Sequence, residues 1–530
     1  MPSVGQVIGG RLRDAGVRYV VGHPGGEVVD LIEGFRAAGL EFVLTRHETS
    51  AGFMADAMAA STGVPGVCVA TLGPGATNLV TGIAQAYLDR SPVLAFTGQL
   101  PMSRYEIVTH QKLDSRALYA PITKWQARVS ASNAADVTDR ALRVALSPRS
   151  GPVHLETPSD VPRQDTGEAA RSFAMPTTRM PAIDAGAAGA AAQRLVRSAR
   201  PLILAGMDAN DGTTASRLIA FAEEWSIPVM DSPKSKGVFP EDHPLFLGTI
   251  EMLGTGRLYE EIEASDVVFM IGFDPVELDR DWPPRPEVVH LGPLPNDDRY
   301  YRSTVEVVGP VNEAIDAIRS LAGTPKPKRD AREIERFRSS FRMFVSPSRP
   351  GLTAQVVLRA LRDVMPDDAL ATCDVGYNKA VTGQCWVARR PKTFFMSNGL
   401  SSMGYGLPAA IGLKLVHRDV PVACVLGDGG FAMTMAEIET AARLGLAVIV
   451  VVLADDALSQ IKAGQERKGF AATGTTFGAL DYPAIARGFG ADGFDVRTEA
   501  ECRAAFRDAL SSRVPVLVAA HVDPTAYQLG

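Results

Sequence analysis

The chain has no apolar run long enough to cross a bilayer. Its longest, Ala447 to Ala454, is 8 residues, where about 20 are needed. Cysteine is scarce: 5 in 530 residues (Cys68, Cys373, Cys385, Cys424 and Cys502), none in CxxC spacing. That spacing argues against a disulfide framework or a zinc site and fits reduced thiols in a cytoplasmic protein. An excess of positive charge is missing as well. With 54 Lys+Arg against 60 Asp+Glu, the formal net charge is −6, which gives no electrostatic case for a nucleic-acid partner or an anionic membrane surface. The N-terminus lacks a charged-then-apolar signal pattern. No GxxxxGK[ST] loop occurs, which excludes a P-loop nucleotidase.

What is present is an ordinary globular composition, 46% hydrophobic and 22% charged, in a chain too long for one core. Short apolar strands alternate with helical stretches throughout. This pattern predicts an α/β fold of three doubly wound parallel-sheet domains, over residues 1–165, 182–323 and 350–530. A polar, Pro- and Arg-marked stretch, Pro162 to Pro181, reads as a linker, and a charged segment, Thr324 to Arg342, leads into the third block. Blocks one and three are candidates for a shared fold. In parallel sheets ligands sit at the carboxyl edge, so the residues that follow strands deserve the closest reading.

The most informative segment runs from Val425 to Ile461. An apolar strand enters Gly427-Asp428-Gly429-Gly430, a turn whose glycines allow close approach of a ligand. A second strand, Ala447 to Leu453, delivers Asp455. Asp428 and Asp455 are 27 positions apart, and in a parallel sheet both strand ends open on one edge. The two carboxylates can converge there on one divalent cation, which would bridge the enzyme to a diphosphate. Far upstream, a strand ends at Arg46-His47-Glu48 and a helix with Ala51, Ala55 and Ala59 on one face follows. Between these lies a strand, the tight turn Gly73-Pro74-Gly75, and a helix carrying Asn78. Asp374-Val375-Gly376-Tyr377-Asn378 ends another strand at the third block's edge, where Gly376 and its polar neighbours can cradle phosphate.

Taken in order, these motifs resemble the thiamine-diphosphate-dependent 2-oxoacid decarboxylase and acetohydroxyacid synthase family, over nearly the whole chain. The resemblance implies pyrimidine-binding, central and diphosphate-binding domains, with active sites at the interface of a homodimer or a dimer of dimers. It implies Mg2+ held by Asp428, Asp455 and the carbonyl of Ala457. It also implies thiamine diphosphate contacts from Gly73, Pro74, Asn78, Gly376, Tyr377, Asn378, Gly427, Gly429, Gly430, Asp455 and Ile461. Glu48 corresponds to the acid that hydrogen-bonds the cofactor's pyrimidine ring. Met403, in Ser397 to Gly406, stands where the family places an apolar side chain under the bent cofactor, with Ser401 beside it. Gln111 is a catalytic candidate that meets substrate oxygens. The implied reaction is decarboxylation of a 2-oxo acid, with capture of the resulting enamine by a second carbonyl compound. The alternative within the class is decarboxylation or acyl transfer without ligation.

Several positions depart from the family's pattern. Ala205-Gly206-Met207-Asp208 is poor in glycine where the biosynthetic enzymes bind FAD. His110-Gln111-Lys112, and Ile271 to Glu277 with Trp282 beyond, look like the flavin-independent catabolic acetolactate synthases. Together these argue against FAD. Ser401 replaces a Gln of the catabolic enzymes, Glu27 replaces a Lys, and Ala454 replaces the first Asn of an Asn-Asn or Asn-Asp pair. An anion in place of a cation near a 2-oxo acid pocket is unfavourable for a plain anionic substrate, which argues for a donor and acceptor other than two pyruvates.

Overall fold

A computed structural model describes residues 1–167, 174, 180–280, 282, 284–296 and 299–524. Part of the expected linker and the last six residues of the third block lie outside these. The described residues form three six-stranded sheets. The first contains β1 (Tyr19–His23), β2 (Glu41–Leu44), β3 (Gly66–Ala70), β4 (Val93–Gln99), β5 (Trp125–Arg128) and β6 (Val153–Pro158). The second contains β7 (Pro201–Ala205), β8 (Val229–Asp231), β9 (Phe246–Thr249), β10 (Val267–Ile271), β11 (Glu287–Gly292) and β12 (Val305–Val308). The third contains β13 (Leu370–Cys373), β14 (Phe394–Met396), β15 (Val422–Gly427), β16 (Val448–Ala454), β17 (Asp492–Val496) and β18 (Val516–His521).

Every strand pairing is parallel. Parallel strands are covered on both faces by their crossover helices, so they read as continuous apolar runs. β16, VIVVVLA, is buried along its whole length. The first sheet has the order β2-β1-β3-β4-β6-β5 and the third β14-β13-β15-β16-β18-β17. These are the same order, so the two outer blocks do share a topology. The middle sheet runs β12-β11-β10-β7-β8-β9, the arrangement of dinucleotide-binding sheets.

One apolar core joins the first and third sheets, from Val21 and Phe53 through to Leu407 and Val450. A second joins the middle sheet to the third. The helix Glu48–Thr62 lies at the junction of the first. Gly52 makes close packing possible, because a Cβ there would come within 2.6 Å of Gly82 Cα on the helix Pro74–Leu88. Gly412 plays the same part on the helix Gly406–Val416, where a Cβ would meet Met54 O at 2.8 Å. The charged segment before the third block contains a helix, Ala331–Val345, capped by the Asp330 side chain. Its Ile334, Phe337, Phe341 and Val345 share one face at helical spacing and join the core beside β9.

Candidate active site

Both halves of the candidate site lie at the carboxyl edges of the two like-ordered sheets. In the third sheet β15 and β16 are neighbours in register, Gly427 opposite Leu453. That pairing brings the GDGG turn and the Ala454–Asp455 turn side by side. Asp455 N–H donates to Asp428 Oδ2 at 3.2 Å. Asp455 Oδ1 accepts from Ala457 N at 3.2 Å and Oδ2 from Ser459 Oγ at 2.6 Å. The loop is pinned from outside by Leu458 N to Thr475 O, 2.8 Å, and Phe477 N to Asp456 O, 2.8 Å. Burial is the main cause that pushes the Asp455 carboxyl up to about 6, with the Asp428 charge adding to it. Burial raises Asp428 as well.

Above these turns is a cavity of about 150 Å³. Gly376, Tyr377, Asn378 and Met403 form one wall. Gly427, Asp428, Gly429 and Gly430 form the floor, and Asp455, Ala457 and Ile461 close the other side. All of these were singled out from sequence. Leu453, Leu458, Ser459 and Gln460 also line it and were not. Among the described residues no basic side chain lines the cavity.

The walls are shaped by glycine. A Cβ at Gly430 would sit 1.8 Å from Asp374 Oδ2, and one at Gly429 would meet Leu458 Cδ2 at 2.9 Å and Met403 Cε at 3.2 Å. Gly376 has φ +130°, a backbone that favours glycine. It opens the helix Tyr377–Cys385, whose N-terminus has no side-chain cap. Asn378 is 6% exposed, and its Nδ2 is buried without a hydrogen-bond partner. An orphaned buried donor is costly. Beside two carboxylates it fits a phosphate oxygen arriving with a metal ion.

Met403 is placed by a carboxylate that sequence reasoning passed over. Asp374 accepts from Gly404 N at 2.9 Å and Tyr405 N at 3.1 Å. The same loop is held by the first sheet's domain: Asp89 accepts from Gly399 N at 2.6 Å, and Ser397 Oγ donates to Gln85 Oε1 at 2.6 Å. Ser401 is exposed with φ +52°. Its Oγ accepts from Lys379 Nζ at 3.0 Å.

In the first sheet, Glu48 opens the helix after β2 and is 7% exposed. Asn78 Nδ2 donates to its Oε2 at 3.0 Å, so Asn78 orients Glu48 within the same chain. Oε1 faces the GPG turn, where a Cβ at Gly75 would lie 3.3 Å away. Gly73 has φ +60°, and Pro74 is the first residue of its helix. Gln111, exposed with φ +55°, packs on Gly73, where a Cβ would meet Gln111 Cβ at 2.8 Å. The strand end that presents Glu48 is fixed from a distance of nearly 400 positions. Buried Glu437 accepts from Arg46 N at 3.0 Å and His47 N at 3.1 Å. Among the described residues the cavity takes no lining residue from positions 1–165, so Glu48 does not border it within one chain.

The turn after β7 is occupied by a side chain. Met207 N donates to buried Glu277 at 2.9 Å, and a Cβ at Gly206 would strike Phe273 Cα at 2.3 Å. Glu277 is pushed up to about 8, chiefly by burial. Gln465 is engaged at both ends by Thr473.

Three family profiles of thiamine pyrophosphate enzymes match the chain: the N-terminal TPP binding domain over residues 2–118, the central domain over 188–318 and the C-terminal TPP binding domain over 374–520. Among similar proteins, a "Probable acetolactate synthase large subunit" from Methanocaldococcus jannaschii is 31% identical, over 97% of this chain and 90% of that protein. "Acetolactate synthase" from Bacillus subtilis is 28% identical, over 97% and 92%. A "Probable 2-ketoarginine decarboxylase AruI" from Pseudomonas aeruginosa is 32% identical, over 87% and 83%. The three profiles fall on the three sheets. The chain belongs to the thiamine pyrophosphate enzymes, as a transferase- or lyase-type member similar along its length to acetolactate synthases.

Proposed function

We propose that this enzyme decarboxylates a 2-oxo acid, with thiamine diphosphate anchored through Mg2+, and joins the remaining acyl unit to a second carbonyl compound. The observation that carries this reading is the cavity chemistry. Two carboxylates and an unpaired amide donor, with no basic side chain, accept an anionic diphosphate only together with a divalent cation. Among the described residues no cluster of three or more His, Cys, Asp or Glu is suited to a metal. Asp428, Asp455 and the Ala457 carbonyl would therefore share the ion with phosphate oxygens and water, the usual manner of Mg2+.

In this reading Asn378 and the backbone of Gly376, Tyr377, Gly427, Gly429 and Gly430 hold the diphosphate, while Met403 and Ile461 shape the space for the rings. Gly73 and Pro74 face the pyrimidine. Asn78 occupies Glu48 Oε2, which leaves Oε1 as the atom that holds or delivers the proton. When bound, the cofactor supplies an electron sink for the pair released as carbon dioxide leaves. Gln111 and Ser401 stand at the rim, where substrate oxygens arrive. Because Glu48 and the diphosphate cavity are separate within one chain, the complete site is assigned to two copies, as a homodimer or a dimer of dimers. A flavin has no place in this scheme, since Glu277 already takes the Met207 amide at the point where dinucleotides bind middle sheets of this order. The proposed setting is cytoplasmic, with no nucleic-acid or membrane partner. Among the described residues no helix is long and apolar enough to cross a membrane.

A second reading, decarboxylation with simple protonation, is favoured by the similarity to the 2-ketoarginine decarboxylase. Incubation with thiamine diphosphate, Mg2+ and a panel of 2-oxo acids separates the two, with products identified by mass spectrometry. A hydroxy-oxo condensation product supports ligation; an aldehyde alone supports the second reading. No cofactor-dependent loss of carbon dioxide from any 2-oxo acid refutes both.

A further inference from the structure

The geometry points to Glu27 as the residue that selects a substrate whose tail carries a positive charge. This rests on the 2-oxo acid reading above and names the substrate class within it. Glu27 lies in the turn after β1, at the edge that also presents Glu48. A chain of contacts joins the two. Thr71 Oγ1 donates to Glu27 Oε2 at 2.7 Å, and a Cβ at Gly75 would lie 2.8 Å from Thr71 Cγ2 and 3.3 Å from Glu48 Oε1. The side chain is only half-covered, and Oε1 has no hydrogen bond among the described residues.

Glu27 makes no ion pair among the described residues, although the same edge is rich in basic groups. Five of these are engaged elsewhere. Arg46 pairs with Glu439 at 2.7 Å, and Arg128 pairs with Glu156. Lys112 lies 3.8 Å from Glu106 and over the Tyr105 ring, and Arg163 pairs with Asp30 at 2.6 Å. His23 Nδ1 is bonded to the Thr45 carbonyl at 2.9 Å. An anion left unpaired beside the proton-handling acid repels a second carboxylate and attracts a cation, most strongly once the closed site excludes water. The substrate class that satisfies it is a 2-oxo acid with a guanidinium or quaternary ammonium group at its far end. The hydrogen bond from Thr71 fixes the direction in which Glu27 presents its second oxygen.

The test compares kcat/KM for three 2-oxo acids of similar length: one with a terminal guanidinium, one with a neutral alkyl tail, and one with a terminal carboxylate. The native enzyme is expected to prefer the guanidinium acid. Glu27→Gln should reduce the guanidinium-to-alkyl preference roughly 10- to 100-fold, the range of a charge-assisted hydrogen bond. The change should fall mainly on KM, because the contact is made equally before and during reaction. Glu27→Lys should turn the preference toward the carboxylate-tailed acid, and Glu27→Asp should restore part of the original order. Calorimetric binding of the guanidinium acid to cofactor-loaded Glu48→Gln, with and without Glu27→Gln, reads the same contact without turnover. A native preference for the alkyl acid, or an equal loss on all three acids in Glu27→Gln, overturns the assignment of Glu27 while leaving 2-oxo acid decarboxylation intact. If none of the three acids, nor any other 2-oxo acid, is turned over, the function itself fails and the assignment with it.

Discussion

Replacing Asp455 by Asn is expected to strengthen the cofactor-free protein and weaken the loaded one. In the fold Asp455 is pushed up to about 6 by burial, with help from Asp428, whereas an unfolded aspartate ionises near 4. A carboxyl that holds its proton more tightly in the fold lowers stability as pH rises from about 4 to about 6, and the loss persists above that window. At full burial the gap corresponds to about 2–3 kcal/mol, and the partial exposure of Asp455 reduces it to about 1–1.5 kcal/mol. Asparagine can accept from Ala457 N through Oδ1 and donate through Nδ2 to Ser459 Oγ while removing the charge, so the cofactor-free variant should melt above the native protein at pH 8. Near pH 4 the difference should vanish. With saturating Mg2+ and thiamine diphosphate the order should reverse, because ligand binding stabilises in proportion to its affinity and the variant exchanges one of the two carboxylates proposed to hold the metal for a neutral amide. Scanning calorimetry at both pH values, with and without ligands, measures all four cases. A cofactor-free variant less stable than the native protein at pH 8, or an offset independent of pH, would refute the reasoning.

Glu48→Gln should fold normally, with an unchanged circular dichroism spectrum, and lose at least ~100-fold in kcat, since general acid–base catalysis supplies about that factor or more; full turnover would remove Glu48 from the mechanism. Asn378→Ala should cost the cofactor-free protein little, because its buried Nδ2 is unpaired, yet weaken diphosphate binding by roughly tenfold in a calorimetric titration. Gly430→Ala places a methyl group 1.8 Å from Asp374 Oδ2; overpacking at a site with no slack should lower unfolding free energy by about 1–3 kcal/mol in urea and release the turn that carries Met403.

The floor of the site was legible in the sequence because strand and turn chemistry are local. Asp428 and Asp455 each follow an apolar strand, and adjacent parallel strands with level ends bring such residues together whatever lies between. Glu48 and the GPG turn were readable as strand-end residues for the same reason, but the role expected of Glu48 came from the family resemblance alone. Contacts made across the chain were not. Nothing near Glu437 announces that it holds the amides of Arg46 and His47, and nothing near Asn78 announces that its amide meets Glu48. Asp374 was read as a strand end, when its two oxygens fix the turn under Met403. The helix Ala331–Val345 was passed over because its charged residues mask an apolar face that its spacing did encode. Nor does any local pattern encode that Glu27 makes no ion pair among the described residues.

The left-handed backbone at Gln111 and Ser401 bears on how this catalyst can be retargeted. Both are exposed, Gln111 against Gly73 and Ser401 two positions before Met403, so both invite saturation libraries. Their torsion angles favour glycine, asparagine and aspartate and penalise β-branched residues. A library weighted toward those residues avoids backbone strain at both positions, whereas Ile461, helical and 55% exposed, carries no such restriction, proline aside.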